Sequence, residues 1–268
     1  MGYLSPYRVL DLTDERGLLA GHLFAQLGAQ VIQVEPLAGS SARAVPPFAA
    51  DLPAGEDSLF WATYAAGKRG VTLALERREG RDLLLAMARH ADFILESARP
   101  GEMAAIGLGW EAFRGANRRL IHASISAFGA NGPKAGYADS DLIVWASAGP
   151  LWPHRTPQGL PLRISVPQAF HQAAADAVCG ALVALLARGE DGEGQHVDVS
   201  AQESCTLCTL SSHLAAAVGH ADFTPRGGVQ SKRLLDLSGS GARTRKTKWA
   251  VRDGLVELHI GMGPAAGT

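Results

Sequence analysis

Short apolar runs alternate with stretches of helical periodicity along the first two thirds of the chain. Residues 7–12 (YRVLDL) predict a buried strand, residues 17–27 carry apolar side chains at helical spacing, and residues 29–34 (AQVIQV) predict a second strand. A strand, a helix and a strand within about 30 residues are typical of a βαβ unit. Because the crossover in such a unit is right-handed, the two strands are expected to run parallel.

The same alternation recurs further along the chain. Additional strands are predicted at residues 70–75, 91–95, 120–125 and 196–199, and helices at residues 78–91, 172–187 and 201–218. The segment at residues 36–57 is rich in Pro, Ala and Gly and is expected to wrap the surface. This order of elements predicts an α/β fold with a doubly wound, mostly parallel, Rossmann-like sheet.

The character of the chain changes after about residue 221. Residues 224–247 contain many Gly, Ser, Arg and Lys without periodicity, which indicates a linker, whereas residues 249–260 form two alternating runs around Asp253-Gly254, which predicts a hairpin. A lone hairpin does not make a domain. We therefore predict a large α/β domain over residues 1–222, and a linker with the beginning of an incomplete smaller domain over residues 223–268.

Charge and cysteine content narrow the possible partners and compartments. The chain has 25 Lys and Arg against 26 Asp and Glu, a formal net charge of −1, which disfavours nucleic acid or an anionic membrane as a bulk partner. Three cysteines are too few, and odd in number, for a disulfide framework. Without a visible signal peptide or an apolar run near about 18 residues, we predict a cytoplasmic protein with no membrane partner.

The common signatures of nucleotide, hydrolase and zinc sites are absent, because no GxGxxG, Walker, GxSxG or HExxH sequence occurs. Cys205 and Cys208 form a CxxC inside an apolar helical run without a second pair, which favours packing over redox or metal chemistry. His213 and His220 could share a helix face but lack a carboxylate. No metal site is predicted.

Basic residues at the predicted sheet edge are candidates for binding phosphates. Lys68 and Arg69 follow a Gly and precede a strand, and Arg pairs with phosphates bidentately. The alternative for these two residues is a solvated surface pair. Arg43, in the loop after the second strand, is a looser candidate.

Two turns after predicted strands could contact other parts of a phosphate-bearing ligand. Arg99-Pro100-Gly101 ends a strand at the carboxyl edge, where α/β folds bind ligands, although the Pro could simply start a helix. Gly129 and Gly132 lie in a loop whose backbone amides could approach an oxygen of a ligand, or serve turn chemistry alone.

Eight phrases occur in a fixed order. They are VLDL at 9–12, GAQVIQVEP at 28–36, GKRGVTL at 67–73, ESARPG at 96–101, GLGW at 107–110, NRRLI at 117–121, SISAFGANGP at 124–133 and GEGQHVDVS at 192–200. Over about residues 7–220 the series resembles the class III CoA-transferases, which include formyl-CoA, carnitine and bile-acid CoA-transferases. The resemblance implies that the protein binds acyl-CoA, uses a carboxylic acid as co-substrate and transfers CoA between acids.

The resemblance also locates the nucleophile of the family, an aspartate ten residues before the Gly of a GILAAL-like helix. Its carboxylate attacks the thioester and forms an anhydride, and the released CoA thiolate then forms an enzyme-CoA thioester. In this chain that Gly is Gly180, so the position holds Phe170, which cannot form an anhydride. Asp141 and His171 are weak substitute candidates, whereas Asp176 is expected to face elsewhere on the helix.

These observations leave several functional hypotheses open. The protein could be a CoA-transferase that uses an atypical catalytic group, a catalytically silent CoA-binding subunit that pairs with an active relative, or a truncated member of the family. Family chains extend beyond the length of this one and form dimers of interlocked rings. A homodimer or a heterodimer with a related subunit is therefore expected.

Overall fold

The computed structural model describes residues 2–53, 55–151, 160–164, 166–210 and 248–257. The strands are β1 (Arg8–Asp11), β2 (Gln30–Glu35), β3 (Arg69–Thr72), β4 (Phe93–Glu96), β5 (Ile121–Ser126), β6 (His196–Ser200), β7 (Lys248–Val251) and β8 (Gly254–Glu257). The α-helices are α1 (Leu18–Gln26), α2 (Leu59–Tyr64), α3 (Arg78–Ala88), α4 (Glu102–Ala105), α5 (Trp110–Ala116), α6 (Asp141–Ser147), α7 (Ala169–Asp191) and α8 (Ala201–Thr206), and short 3₁₀ helices span Ser41–Ala44 and Leu207–Thr209.

Six of the strands form one parallel sheet in the order β3-β2-β1-β4-β5-β6. This is the strand order of the doubly wound Rossmann fold, so the predicted fold class is confirmed. The adjacent interior strands β4 and β5 are buried at every residue. Interior strands of a parallel sheet are buried in this way because helices cover both of its faces.

The two faces of the sheet are covered by different helices. Leu10 and Ile94 belong to a core cluster with Leu84 of α3 and Phe113 of α5. Phe93, at the alternate position on β4, instead meets Phe24 of α1, with ring centroids 4.8 Å apart. Because successive side chains of a strand point to opposite faces, α3 and α5 cover one face and α1 covers the other.

Helix α7 is the longest helix of the described chain and extends beyond its predicted range of residues 172–187. Its buried face is largely alanine, which lets the helix lie close to β5, β6 and α1. Near its end the buried Arg188 donates to the Arg119 carbonyl (2.8 Å) and to Asp92 Oδ1 (3.1 Å). Within the described chain, α7 alone is long and apolar enough to cross a membrane, but 44% of that stretch is buried inside the protein.

The chain divides into two compact units. One comprises residues 1–150 and 163–211, and the other comprises residues 151–162 and 212–268. The second unit contains the β7–β8 antiparallel hairpin, in which Val251 pairs with Gly254 as the Asp253-Gly254 turn predicted. The predicted linker and the boundary between residues 222 and 223 lie outside the described residues, as does the end of the helix predicted at 201–218. That division into domains stays a prediction.

Candidate functional site

A cavity of about 240 Å³ lies where β1, β4 and β5 end. Arg16 follows β1, Arg99 follows β4, and Ser126 ends β5, while Tyr137 and Asp139 come from the loop before α6. The strand order reverses between β1 and β4. The carboxyl edge at such a reversal is where open α/β sheets bind their ligands.

The two arginines of the cavity differ in charge compensation. Arg16 forms a fork with Asp14, with Nη2–Oδ2 at 2.7 Å, and its Nη1 lies 3.6 Å from Asp139. Arg99 is exposed, and its guanidinium makes no hydrogen bond or ion pair with any residue that the structure describes. Arg99 is therefore the cation of this cavity that is available to an anionic ligand.

The turn that carries Arg99 is held by side chains at the end of β4. The Glu96 carboxylate accepts the Ala98 N–H at 2.7 Å. Ser97 donates from Oγ to Asp14 Oδ1 (2.8 Å) and accepts the Asp14 N–H (3.0 Å). The position of Arg99 thus depends on Glu96 and on the loop that follows β1.

Lys68 occupies a different place from the one predicted. Its side chain is 1% exposed, and its Nζ donates to Asp11 Oδ2 (2.7 Å), the Leu18 carbonyl (2.8 Å) and Gln33 Oε1 (3.0 Å). An ammonium group has three N–H donors, so Lys68 has none left for a phosphate. The predicted phosphate contact of Lys68, and its surface alternative, do not fit the structure.

The buried pair leaves no room for a side chain on the facing helix. A Cβ added to Gly21 of α1 would overlap Asp11 Oδ2 and lie 2.9 Å from Lys68 Nζ. Burial lowers the pKa of the Lys68 ammonium, and Asp11 offsets part of that effect. Asp11, Lys68 and Gly21 therefore act as one packing unit.

The two other basic candidates lie at different degrees of exposure. Arg69 begins the edge strand β3 and is exposed. Arg43 forks onto Glu35, with Nε–Oε2 at 2.7 Å and Nη2–Oε1 at 2.9 Å, and stacks 4.0 Å above the Trp61 ring. Its charge is therefore largely compensated, whereas Arg69 stays a predicted phosphate contact.

The glycine loop after β5 is partly occupied by internal contacts. The Gly129 N–H donates to Ser126 Oγ at 3.0 Å, and the next amide, that of Ala130, donates to Asp198 Oδ2 at 2.8 Å. Gly129 adopts a φ of 81° and Gly132 a φ of 103°, both in the left-handed region that favours glycine. Turn chemistry accounts for Gly129, so its amide does not fit the predicted oxygen contact, which for Gly132 remains a prediction.

Phe170, the position at which the resemblance places the nucleophile of the family, lies in the first turn of α7 and is 6% exposed. Asp141 stands beside it, because its Oδ1 accepts the backbone N–H groups of Gln168 (2.8 Å) and Ala169 (2.7 Å). Asp141 thus caps the amino end of α7. Asp176 instead lines a separate shallow cavity with Asp198 and Glu203.

His171 packs between aromatic side chains of α2. Its ring centroid lies 6.4 Å from Phe60 and 5.2 Å from Tyr64. Burial lowers the pKa of His171 below its usual value, and the charge of Asp141 offsets part of the effect. The imidazole is therefore neutral at neutral pH.

All three cysteines are free thiols. Cys205 is buried, and burial raises the pKa of its thiol to about 12, while Cys179 and Cys208 are exposed and free. Packing therefore accounts for Cys205. Among the residues that the structure describes, no three His, Cys, Asp or Glu side chains are grouped as metal ligands.

Two lowered histidine pKa values predict a loss of stability in acid. Burial, followed by the charge of His122, lowers the pKa of His196, and burial lowers that of His171. Because the unfolded chain then binds protons more readily, stability is full above the unfolded value of 6.5 and falls as the pH drops through it. Urea midpoints measured from about pH 7.5 down to about pH 5.5 should decrease. The decrease should be smaller in His171→Gln, and an equal decrease would contradict the role of His171.

Comparison with known proteins identifies the family of this chain. Residues 4–238 match the family model of CoA-transferase family III. The chain is 39% identical over 200 residues to the succinyl-CoA:(R)-benzylsuccinate CoA-transferase subunit BbsE of Thauera aromatica, covering 75% of this chain and 49% of that protein. It is 35% identical over 195 residues to the acetyl-CoA:oxalate CoA-transferase of Acetobacter aceti, covering 72% of this chain and 49% of that protein.

A solved structure shows the same fold. A CAIB/BAIF family protein from Brucella suis superposes with a TM-score of 0.83 at 26% identity, covering 95% of this chain and 65% of that one. The chain spans about half the length of the curated relatives it matches. With the fold, the family model and these relatives in agreement, the chain belongs to the class III CoA-transferases.

Proposed function

We propose that the protein binds acyl-CoA at the carboxyl edge of its sheet, as part of a CoA-transferase that moves CoA between carboxylic acids. The observation that carries the proposal is the cavity at the strand reversal with the uncompensated guanidinium of Arg99 at its wall. CoA presents phosphates, and an acyl acceptor presents a carboxylate, and Arg binds both groups through charge-assisted hydrogen bonds. The two relatives described above are each named for a CoA thioester paired with an organic acid.

The contribution of this chain is binding rather than covalent chemistry. Phe170 stands where the family has its nucleophile, and its buried ring offers no group that can attack a thioester. Asp176 lines a different cavity. We therefore propose that the carboxylate comes from a related subunit, in a heteromeric assembly. The Thauera aromatica relative is itself named as a subunit.

A second candidate function rests on Asp141. Its carboxylate lies at the amino end of α7, next to Phe170, and its Oδ1 accepts two backbone amides there. Its Oδ2 receives no hydrogen bond from the described part of the chain. Attack by Oδ2 on the thioester carbon would form an anhydride and release CoA as the thiolate. Adduct formation by the parent that is abolished in Asp141→Asn would establish this second function.

Binding of CoA tests the main proposal directly. CoA should raise the melting temperature, because a ligand that binds the native state alone stabilises it by mass action. Arg99→Ala should raise the Kd for CoA about tenfold, the loss expected for one charge-assisted contact, and more at low salt. Arg89→Ala, which removes another exposed arginine at the other edge of the sheet, is the matched control. An unchanged Kd in Arg99→Ala, or no binding by the parent, would contradict the assignment.

A further inference from the structure

A cluster of polar side chains lies on the covered face of the sheet behind the cavity, and no step of the proposed function uses it. Its members are Glu96 of β4, His122 and Ser124 of β5, and His196 of β6. The sheet register places Glu96 opposite Ser124, and His122 opposite His196. Because side chains alternate along a strand, these four side chains share one face, the face that α5 covers.

His122 is buried without a hydrogen bond on either ring nitrogen. Its side chain is 4% exposed, and neither Nδ1 nor Nε2 has a partner. Its ring stacks on His196 with centroids 4.8 Å apart and meets the edge of Phe113 at 5.3 Å. A buried polar group is almost always hydrogen-bonded, so two unpartnered nitrogens on one ring require an explanation.

The group facing His122 is the carboxylate of Glu96. Nε2 of His122 lies 3.7 Å from Glu96 Oε1, which is too long for a hydrogen bond but within ion-pair distance. The other oxygen, Oε2, accepts the Ala98 N–H at 2.7 Å. Glu96 therefore touches the Arg99 turn with one oxygen and faces the unpartnered imidazole with the other.

Each element packed against His122 contributes side chains that can be named. From β4 the charged group that faces His122 is Glu96. From β6 it is His196, whose Nε2 is hydrogen-bonded to Ser124 Oγ at 2.8 Å and which feels the charge of Asp198. Helix α5 turns Trp110 and Phe113, which do not titrate, toward the same rings.

We propose that His122 and Glu96 form a proton-operated positioning pair that sets the conformation of the turn at residues 97–99. A proton taken from solvent adds to the neutral imidazole, so both ring nitrogens of His122 then carry hydrogens and the ring carries one positive charge. The contact with Glu96 becomes a charge-assisted hydrogen bond, which shortens from 3.7 Å to about 2.8 Å. No covalent bond of the protein breaks in this step.

Protonation of His122 affects the cavity through the carboxylate of Glu96. Because Glu96 also holds the Ala98 amide, drawing Glu96 toward His122 displaces that amide and the following Arg99. His196, which is stacked on His122 and more exposed, has a pKa lowered by burial and by the charge of His122. The device needs no ligand and is therefore independent of the proposed CoA binding.

Nuclear magnetic resonance of the ¹⁵N-labelled full chain between about pH 5 and about pH 8, where imidazoles titrate, tests the proposal. In the parent, the amide signals of Ala98 and Arg99 should shift with the same midpoint as the His122 ring. His122→Phe retains an aromatic ring but cannot bind the proton, and the shift of both amides should be lost. Glu96→Gln should leave His122 titrating while the amide shift is lost.

One control variant and two contrary outcomes complete the test. His90→Gln removes an exposed imidazole at the other edge of the sheet and should leave the Ala98 shift unchanged. Amides of Ala98 and Arg99 that stay constant while His122 titrates would overturn the proposal, as would a shift that survives in His122→Phe. If His122→Phe does not fold, the parent titration and Glu96→Gln still decide.

Discussion

Replacing Phe170 by aspartate is expected to give the protein a covalent reaction with acyl-CoA that the parent chain does not perform. Residue 170 lies in the first turn of α7, where the helix dipole favours a carboxylate, and the neutral imidazole of His171 follows it. After incubation with succinyl-CoA and hydroxylamine trapping, mass spectrometry should find no adduct on the parent. In Phe170→Asp, an adduct should become detectable, and it should map to residue 170.

Phe170→Asn is the matched control for this experiment. It removes the same buried ring and introduces a polar group of similar size, so it carries a similar loss of stability, but it cannot form an anhydride. An adduct in Phe170→Asn would mean that residue 170 is not the reacting group. An adduct on the unmodified parent at Asp141 would replace the silent-subunit proposal with the second candidate, and a folded Phe170→Asp without adduct would contradict the alignment through Gly180.

Removal of Lys68 is expected to destabilise the fold by about 3–5 kcal/mol, the range for breaking a buried ion pair by removing one partner. Lys68→Ala leaves the carboxylate of Asp11, which is 0% exposed, without its cation. Chemical denaturation with urea measures the change as a lower midpoint. The neighbouring Arg69→Ala is the matched control and should change stability by no more than about 0.5 kcal/mol, because Arg69 is exposed.

A double variant distinguishes the loss of both charges of the ion pair from the loss of one partner. Lys68→Met with Asp11→Asn removes both charges and should recover most of the stability that Lys68→Ala loses, since replacing both partners is far milder than orphaning one. A Lys68→Ala protein as stable as the parent would show that Asp11 is solvated. Of these two neighbours only Arg69 keeps its predicted phosphate contact, because Lys68 is buried. Arg69→Ala is therefore also expected to weaken CoA binding.

The sheet was predictable because its strands are short apolar runs with few competing interpretations. β1, β2, β4 and β5 each begin within two residues of the predicted start. The helices α2, α4, α5 and α6 were missed, since four to seven residues are too few to show a periodicity. Two of them, α2 and α6, follow serines whose Oγ caps the first turn, Ser58 and Ser140. A single capping residue is a weak signal, because serine is also common in loops.

The site was predictable where it depended on the ends of strands and unpredictable where it depended on distant contacts. Arg99 follows β4 and so falls at the edge that binds ligands. The burial of Lys68 depends on Asp11, 57 residues away, and the capping of α7 by Asp141 spans 27 residues to Gln168. His122 was missed, although the polar residues that alternate with apolar ones along β5 were a signal.

The packing of Gly21 against the buried ion pair has a consequence for the history of the family. A relative that keeps both charges has no space for a larger residue at position 21, whereas one that has lost the lysine and the aspartate can accept alanine or a larger side chain there. Substitutions at positions 11, 21 and 68 should therefore be inherited in combination rather than singly. Sequence divergence at this corner of the sheet is expected to proceed in coupled steps, with the single changes rare between them.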